Sequence, residues 1–395
     1  MKSNKLTAAL IALGVLSLAG AANANSVVYL TGSTACRGNI FAAAVPGKIF
    51  DSGYPVTIFP AGATSSSGLI CYEGKIGGVV TDLNCSWTGS EAGIAAVAGQ
   101  TLQQNIDTGS GIQSYDIPGV PPKFLNPNSG FGAGSQDFLA NIAGAPAYPD
   151  IAMADTSQAV SRTPESLYPL VDYGTVGIIT FSVMKCYQST HSDAYNNINN
   201  VTTAQMNQLL GGALKANIVT GVSTDNDEYI GVVGRNFGSG TRANTFLNFQ
   251  YGLTTPVHQY VYGASLSAVY PPTPQPGVLT FTGSYAANQG MLDIADDGFD
   301  SGGSVKSTLN VDNAGSPLIL LGYAGYGDAK GAYDFTTSPG GRAVFLPFNG
   351  VYLGDAEVIN GSYSFWGQEH VLGSVGQSPS SQAGITAAAV KSAGR

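Results

Sequence analysis

The chain is 395 residues long, with 16 Lys and Arg against 25 Asp and Glu, a formal net charge of −9, and only 10% charged residues. A chain this acidic is a poor nucleic-acid binder and carries no polybasic membrane patch, so any anion it holds must be held by local geometry. No run beyond the first two dozen residues approaches the ~20 uninterrupted apolar residues of a membrane-spanning helix.

Lys2 and Lys5 precede an apolar stretch from Leu6 to Leu18, and Ala22-Asn23-Ala24 is a small-x-small cleavage site. Residues 1–24 therefore read as a secretory signal peptide, with a mature chain beginning at Asn25. No cysteine lies near the cut, so there is no lipobox, and the expected location is periplasmic or secreted.

Beyond the leader, short β-rich runs alternate with small-residue helical patterns: "SVVYL", "CRGNIFAAAV", "YPVTIF", "EAGIAAVAGQTLQQN". This alternation predicts an α/β architecture with helices covering a sheet. Cys71 and Cys85 flank "YEGKIGGVVTDLN", which reads as a hairpin. In an oxidising compartment they are expected to pair, leaving Cys36 with Cys186; free buried thiols are the alternative. No CxxC or HxxxH spacing occurs, so no metal site is expected. From Gly109 to Pro149 the chain is rich in Gly, Pro, Ser and Asn and reads as a long surface excursion containing the helical fragment "SQDFLANIAG". "TVGIITFSVM" (175–184) is a continuous apolar strand and a natural bridge into a second lobe. "VTTAQMNQLLGG" follows as a Thr cap, a short amphipathic helix and a glycine stop. No repeat of 20–50 residues is present.

The segment "GRNFGSGTRANTF" (234–246) follows an apolar run and opens a helical pattern. A Walker-type loop needs a lysine before its Ser/Thr, and Gly240-Thr241 has none. A dinucleotide fingerprint wants an acid ~20 residues on, and none occurs between Tyr229 and Leu292. No G-x-S-x-G elbow is present. His191, His258 and His370 stand in no nucleophile or metal context. What remains is anion binding: unpaired N–H groups at a helix start, glycine for close approach, hydroxyl donors, and Arg235 for a two-pronged contact. "TGSTACRG" (31–38) and "TGSEAGIAA" (88–96) repeat the device, whereas "TGSYAANQ" (282–289) looks similar and is assigned no ligand. Each Gly-Ser pair taken alone is an ordinary helix cap.

"GRNFGSGTRANTF" resembles the Arg-x-x-Gly-Ser-Gly-Thr segment of periplasmic phosphate-binding proteins, the receptors of phosphate ABC transporters. The resemblance implies that Arg235, Ser239, Gly240 and Thr241 hold phosphate. "TGSEAGI" is similar to the family's second anion turn, with Ser90 as ligand. "DIAMADTSQ" resembles the stretch whose carboxylate accepts the phosphate proton, here Asp155. "TGSTACRGNIF" resembles the first turn and places Ser33 and Thr34 at the site. "NNVTTAQMNQLLGG" resembles the family's second-lobe helix after the crossing strand, and "PLILLGYAGYGDA" and "INGSYSFWGQ" are similar to the segments where the family returns to its first lobe. Phe237 stands where the family often has an acid that buttresses the arginine.

The resemblance implies a type 2 periplasmic-binding-protein fold, with a ligand cleft between two lobes and two interlobe crossings. The expected organisation is signal peptide 1–24, first lobe 25–178 with an insertion at about 100–150, second lobe 179–339, and a return to the first lobe over 340–395. It implies a monomeric, cofactor-free, non-enzymatic receptor for inorganic phosphate, with arsenate as analogue, delivering to a membrane ABC permease. The alternatives are a receptor for another oxyanion, a secreted structural or adhesive protein that keeps the fold, and a phosphatase. The last is disfavoured by the lack of metal ligands and of a positioned nucleophile.

Overall fold

The computed structural model describes residues 25–59, 61–87, 89–98, 149–166, 168–236, 238–262, 291–295, 298–299, 301–333 and 342–394. The leader, the fragment "SQDFLANIAG", the segment "TGSYAANQ" and Phe237 lie outside the described residues.

Among the described residues, eleven strands form one mixed sheet. The first is β1 (Ser26–Gly32), followed by a helix α1 (Arg37–Ala43), then β2 (Thr57–Phe59), β3 (Leu69–Ile76) and β4 (Val79–Ser86). Strands β3 and β4 are the hairpin expected from sequence. Gly77 and Gly78 form its two-residue turn at φ 61° and 84°, a left-handed pair that matches strand twist and suits glycine. Asp51 accepts both turn amides, from Gly77 N at 3.0 Å and from Gly78 N at 2.7 Å. Helix α2 (Ser90–Ala98) leads out of β4, and β5 (Ile151–Ala154) lies beyond. β1 runs parallel to both β4 and β5, so the carboxyl ends of all three emerge at one edge.

β6 (Leu170–Lys185) is the spine. Its first part pairs antiparallel with β13 (Trp366–Ser374), from Leu170↔Ser374 to Thr180↔Trp366. Its last five residues pair instead with β11 (Leu318–Gly325), from Phe181↔Gly325 to Lys185↔Leu321. The short β12 (Val344–Leu346) also pairs with this end. β11 in turn runs parallel to β8 (Tyr229–Val233), and β7 (Leu214–Lys215) closes the edge. A separate antiparallel pair joins β9 (Gln259–Tyr262) to β10 (Met291–Ala295).

Two large hydrophobic cores sit along this sheet. The first gathers Val28, Leu30, Phe50, Tyr72, Leu83, Met153, Val371 and Val390, the last from α10 (Gln382–Ala393). The second gathers Phe181, Val183, Met206, Leu209, Val232, Phe246, Leu320, Phe348 and Phe365. The chain passes between them inside β6 and again at Phe365–Trp366, where Phe181 N donates to Phe365 O at 3.0 Å. Helices α3 (Asp193–Asn197), α4 (Thr203–Leu210) and α5 (Ala216–Thr220) precede β8. In α4 the Thr cap is present as a full capping box: Thr202 Oγ1 accepts from Gln205 N, and Gln205 Oε1 accepts from Thr202 N at 2.8 Å. Helices α6 (Gly240–Asn248), α7 (Gly302–Leu309), α8 (Tyr326–Tyr333) and α9 (Asp355–Ile359) complete the second half.

The disulfide expectation is corrected. All four cysteines are free and buried. In the hairpin Cys71 stands opposite Asn84, while Cys85 stands opposite Ile70. Residues directly opposite share a face, so the two thiols, one register step apart, point to opposite faces of the sheet. Cys36 belongs to the first core and Cys186 to the second, which leaves no geometry for the other bridge. Burial holds the thiols of Cys36, Cys71 and Cys85 above their usual range.

Candidate anion-binding site

Four strand ends converge. β1 ends at Gly32-Ser33, β4 leads to Gly89-Ser90, β5 ends before Asp155, and β8 leads through Gly234-Arg235 to Ser239. In open α/β sheets the carboxyl ends of parallel strands are where ligands sit, because helix starts and loop amides gather there.

Glycine permits the convergence. Gly32 has φ 117° and Gly89 φ 106°, both in the left-handed region. Gly89 N donates to Gly32 O at 2.9 Å, and Ser33 N donates to Met153 O at 2.8 Å, tying the three first-core turns together. The second-core turn packs directly onto them: Ala92 N donates to Gly238 O at 3.3 Å. A Cβ on Gly240 would collide with the Asp155 carboxylate and with Ser90.

Asp155, 1% exposed, is the centre. Ser90 Oγ donates a very short hydrogen bond to Asp155 Oδ1, and Ser90 Oγ accepts from Asp155 N at 3.1 Å. Thr241 Oγ1 donates to Asp155 Oδ2 at 3.3 Å, so one core supplies the carboxylate and the other one of its donors. Burial raises the Asp155 carboxyl above its usual range; the Ser90 bond, the Arg235 charge and the Thr241 bond pull back.

Arg235 is buried, and its backbone is held from three sides. Arg235 N donates to Tyr323 Oη at 3.3 Å, while Arg235 O accepts from Arg242 Nη1 and Gln259 Nε2. Its Nε donates to Phe299 O at 3.1 Å, which fixes the guanidinium. Ser239 is the N-cap of α6, its Oγ accepting from Arg242 N at 3.3 Å.

Ser90, Asp155, Gly240 and Thr241 are therefore in contact, and Arg235 acts on the same carboxylate through its charge. Ser239 stands at the helix start with its hydroxyl engaged in capping. Ser33 is buried at the first turn, and its hydroxyl meets no partner of suitable geometry among the described residues. Thr34 lines the neighbouring cleft.

Two further residues belong here that the motifs do not single out. Asn244, one turn into α6, donates from Nδ2 to Asp155 O and to Gly240 O, clamping the second-core helix onto the carboxylate's own backbone. Glu91 is buried beside Ser90 and accepts from Thr156 Oγ1 at 3.0 Å, Ser161 Oγ at 2.8 Å and Arg162 N at 2.9 Å. It locks the loop after Asp155 against the start of α2. Burial raises its carboxyl, and these three donors moderate the rise. Among the described residues no group of three or more His, Cys, Asp or Glu is placed to hold a metal, and no helix is long and apolar enough to cross a membrane.

No family model matches the sequence, and no curated protein matches it either. Three solved structures align along most of the chain. One is assigned as a phosphate ABC transporter substrate-binding protein, with bound phosphate, from Clostridium perfringens (13% identity, 92% of each chain, TM-score 0.44). Another is an ABC-type phosphate transport receptor from Vibrio cholerae (13% identity, 93% of this chain and 94% of that one, TM-score 0.42). A third is PstS from Borrelia burgdorferi (10% identity, 88% and 87%, TM-score 0.33).

Proposed function

We propose that this protein is an extracytoplasmic receptor that captures inorganic phosphate and hands it to a membrane ABC permease. The observation that carries the reading is the buried Asp155 carboxylate, met by Ser90 from one core and Thr241 from the other, with the Arg235 charge bearing on it. Such a cluster is unusual for a purely structural role, because it buries a carboxylate and a guanidinium among hydroxyl donors. The proposed ligand set is Arg235, Ser239, Gly240, Thr241, Ser90 and Asp155, with Ser33 and Thr34 contributed by the first turn.

The two cores are the proposed lobes, divided inside β6 near Thr180–Phe181 and at Phe365–Trp366, with the ligand between them. Closure brings the α6 start onto the first-lobe turns and removes the anion from water. No covalent step is involved. Asp155 works as an acceptor: phosphate at neutral pH carries a proton, which the carboxylate receives as a hydrogen bond, while sulfate offers only lone pairs to it. A site built around one required hydrogen bond rejects an analogue lacking it by ~10⁴–10⁵. Phosphate and arsenate are therefore expected to bind at least ~10³-fold more tightly than sulfate.

Calorimetric titration of the protein with the three anions tests this. Equal affinity for phosphate and sulfate would defeat the phosphate reading. Asp155→Asn should narrow the gap, since an amide can turn its N–H toward sulfate, and an unaltered ratio would remove Asp155 from the mechanism. Turnover of a chromogenic phosphate ester would place the chain among enzymes instead.

A further inference from the structure

Beside the turns lies a cavity of about 860 Å³, walled on one side by α1 and its flanks, on another by β6, and on a third by the Gly325–Asp328 step of the second core. That volume suits an organic molecule and far exceeds what a single tetrahedral oxyanion needs. Its lining includes none of Ser90, Asp155, Arg235, Ser239 or Thr241.

The polar groups in the lining are unusual. Glu369, from β13, is 3% exposed, and neither of its carboxyl oxygens has a hydrogen-bond partner of standard geometry among the described residues. The Ser33 hydroxyl and Cys36 thiol lie against it. Burial first, and then the like charge of Asp155, push its carboxyl well above the usual range, which the nearby Cys36 thiol and Ser33 hydroxyl offset only in part. Arg37, half-buried at the start of α1, has a buried Nε that meets no acceptor among the described residues. Buried polar groups are nearly always paired, so two such groups lining one cavity point to a ligand that completes them.

The chemistry narrows the class. An anion would satisfy Arg37, with Lys48 also in the wall, and would then face Glu369 and Asp328. A neutral polyol could bond Glu369 but would itself bring no charge to Arg37. A molecule with both signs satisfies both ends. Cys36, whose thiol lies against Glu369, directly precedes Arg37, and Arg37 and Glu369 line the same cavity. The rest of the wall includes Ile40, Val176 and Ile178, which suit an aliphatic side chain.

We propose that this cavity is a second ligand site, for a free α-amino acid, with Glu369 receiving the ammonium and Arg37 the carboxylate. The cavity shares Thr34 with the proposed oxyanion set, and Ser33 lies against its Glu369, so the two ligands are titrated side by side and the readings tested separately. Free amino acids are screened by the shift they cause in Tm, and the best binder is carried to calorimetry beside its N-acetyl and carboxamide derivatives, glycerol and inorganic phosphate. The expected result is binding by the amino acid, weakened at least ~10-fold by capping either end, the loss typical of a charge-paired contact. Glu369→Gln and Arg37→Gln should each cost a similar factor, and Arg37→Gln should leave the phosphate isotherm unchanged. The glutamine at 369 keeps the shape while removing a buried charge, so that variant is expected to fold. The proposal is overturned if no amino acid shifts Tm, if binding survives capping of either end, or if glycerol binds as well as the amino acid.

Discussion

The turn at Gly89-Ser90 and the turn at Gly238–Thr241 both set a serine beside a glycine at a helix start, yet they use their serines differently. Ser90 follows its glycine and is the first residue of α2, so its hydroxyl is free to reach across to Asp155 and bonds both the carboxylate and its amide. Ser239, flanked by Gly238 and Gly240, instead occupies the N-cap, so its oxygen is turned back to Arg242 N. Approach to Asp155 on that side falls to Gly240, which has no side chain to obstruct it, and to Thr241. Ser301-Gly302 shows the N-cap arrangement elsewhere: Ser301 Oγ accepts from Ser304 N at 3.1 Å at the start of α7. The serine's place, N-cap or first helical residue, decides whether the hydroxyl serves its own helix or a neighbour.

The comparison breaks most completely at Arg235, the one cation of the second turn acting on the shared carboxylate. Arg235→Ala should weaken phosphate binding by about 2–5 kcal/mol, since it strands one partner of a buried charge-assisted contact. Arg235→Lys should recover part of this, because an ammonium cannot make the two-pronged contact. Calorimetry reads both. Unchanged affinity in Arg235→Ala would reduce the second turn to a cap and make the two turns unrelated.

Gly240→Ala sharpens the same contrast without altering any charge. The added methyl would collide with Asp155 and Ser90, so the α6 start must back away from the first-core turns. The expected cost in stability is about 1–3 kcal/mol, the range for forcing an extra carbon into a packed site, together with weaker phosphate binding. A variant with wild-type Tm and affinity would show that the close approach of the two turns is dispensable.

Much of this arrangement is legible before any coordinates. The Gly77-Gly78 hairpin, the capped helix after Val201 and the apolar β6 carry strong local signals, and Arg235, Thr241, Ser90 and Asp155 each sit in a short motif at a strand end. The cysteines carry a subtler lesson. A two-residue Gly77-Gly78 turn pairs Ile76 with Val79, and counting outward sets Cys71 opposite Asn84, so the hairpin itself excludes the bridge that its flanking cysteines suggest. Glu91 and Asn244 were not legible. An acid in the first turn of a helix ordinarily faces water and the helix dipole, and only the loop carrying Thr156 and Ser161, folded over it, makes Glu91 internal. Asn244 reaches Asp155 only because two cores far apart in sequence meet there.

The finest test sets the two serines against each other. Ser239→Ala removes an N-cap and should cost about 1 kcal/mol of stability, as such caps do. Ser90→Ala removes a donor to a buried carboxylate and an acceptor for its amide; hydrogen bonds to charged groups contribute about 1.5–3 kcal/mol, so its cost should exceed that of Ser239→Ala by roughly 1 kcal/mol. Phosphate binding separates them further. Asp155 loses its closest donor in Ser90→Ala, whereas in Ser239→Ala the α6 amides and Thr241 are still presented, so affinity should fall more in the first variant. Chemical denaturation and calorimetry on the two proteins supply both numbers. Equal losses of stability and affinity would mean that the serine's position at the helix start is immaterial, and that the Ser90 hydroxyl is one more helix cap.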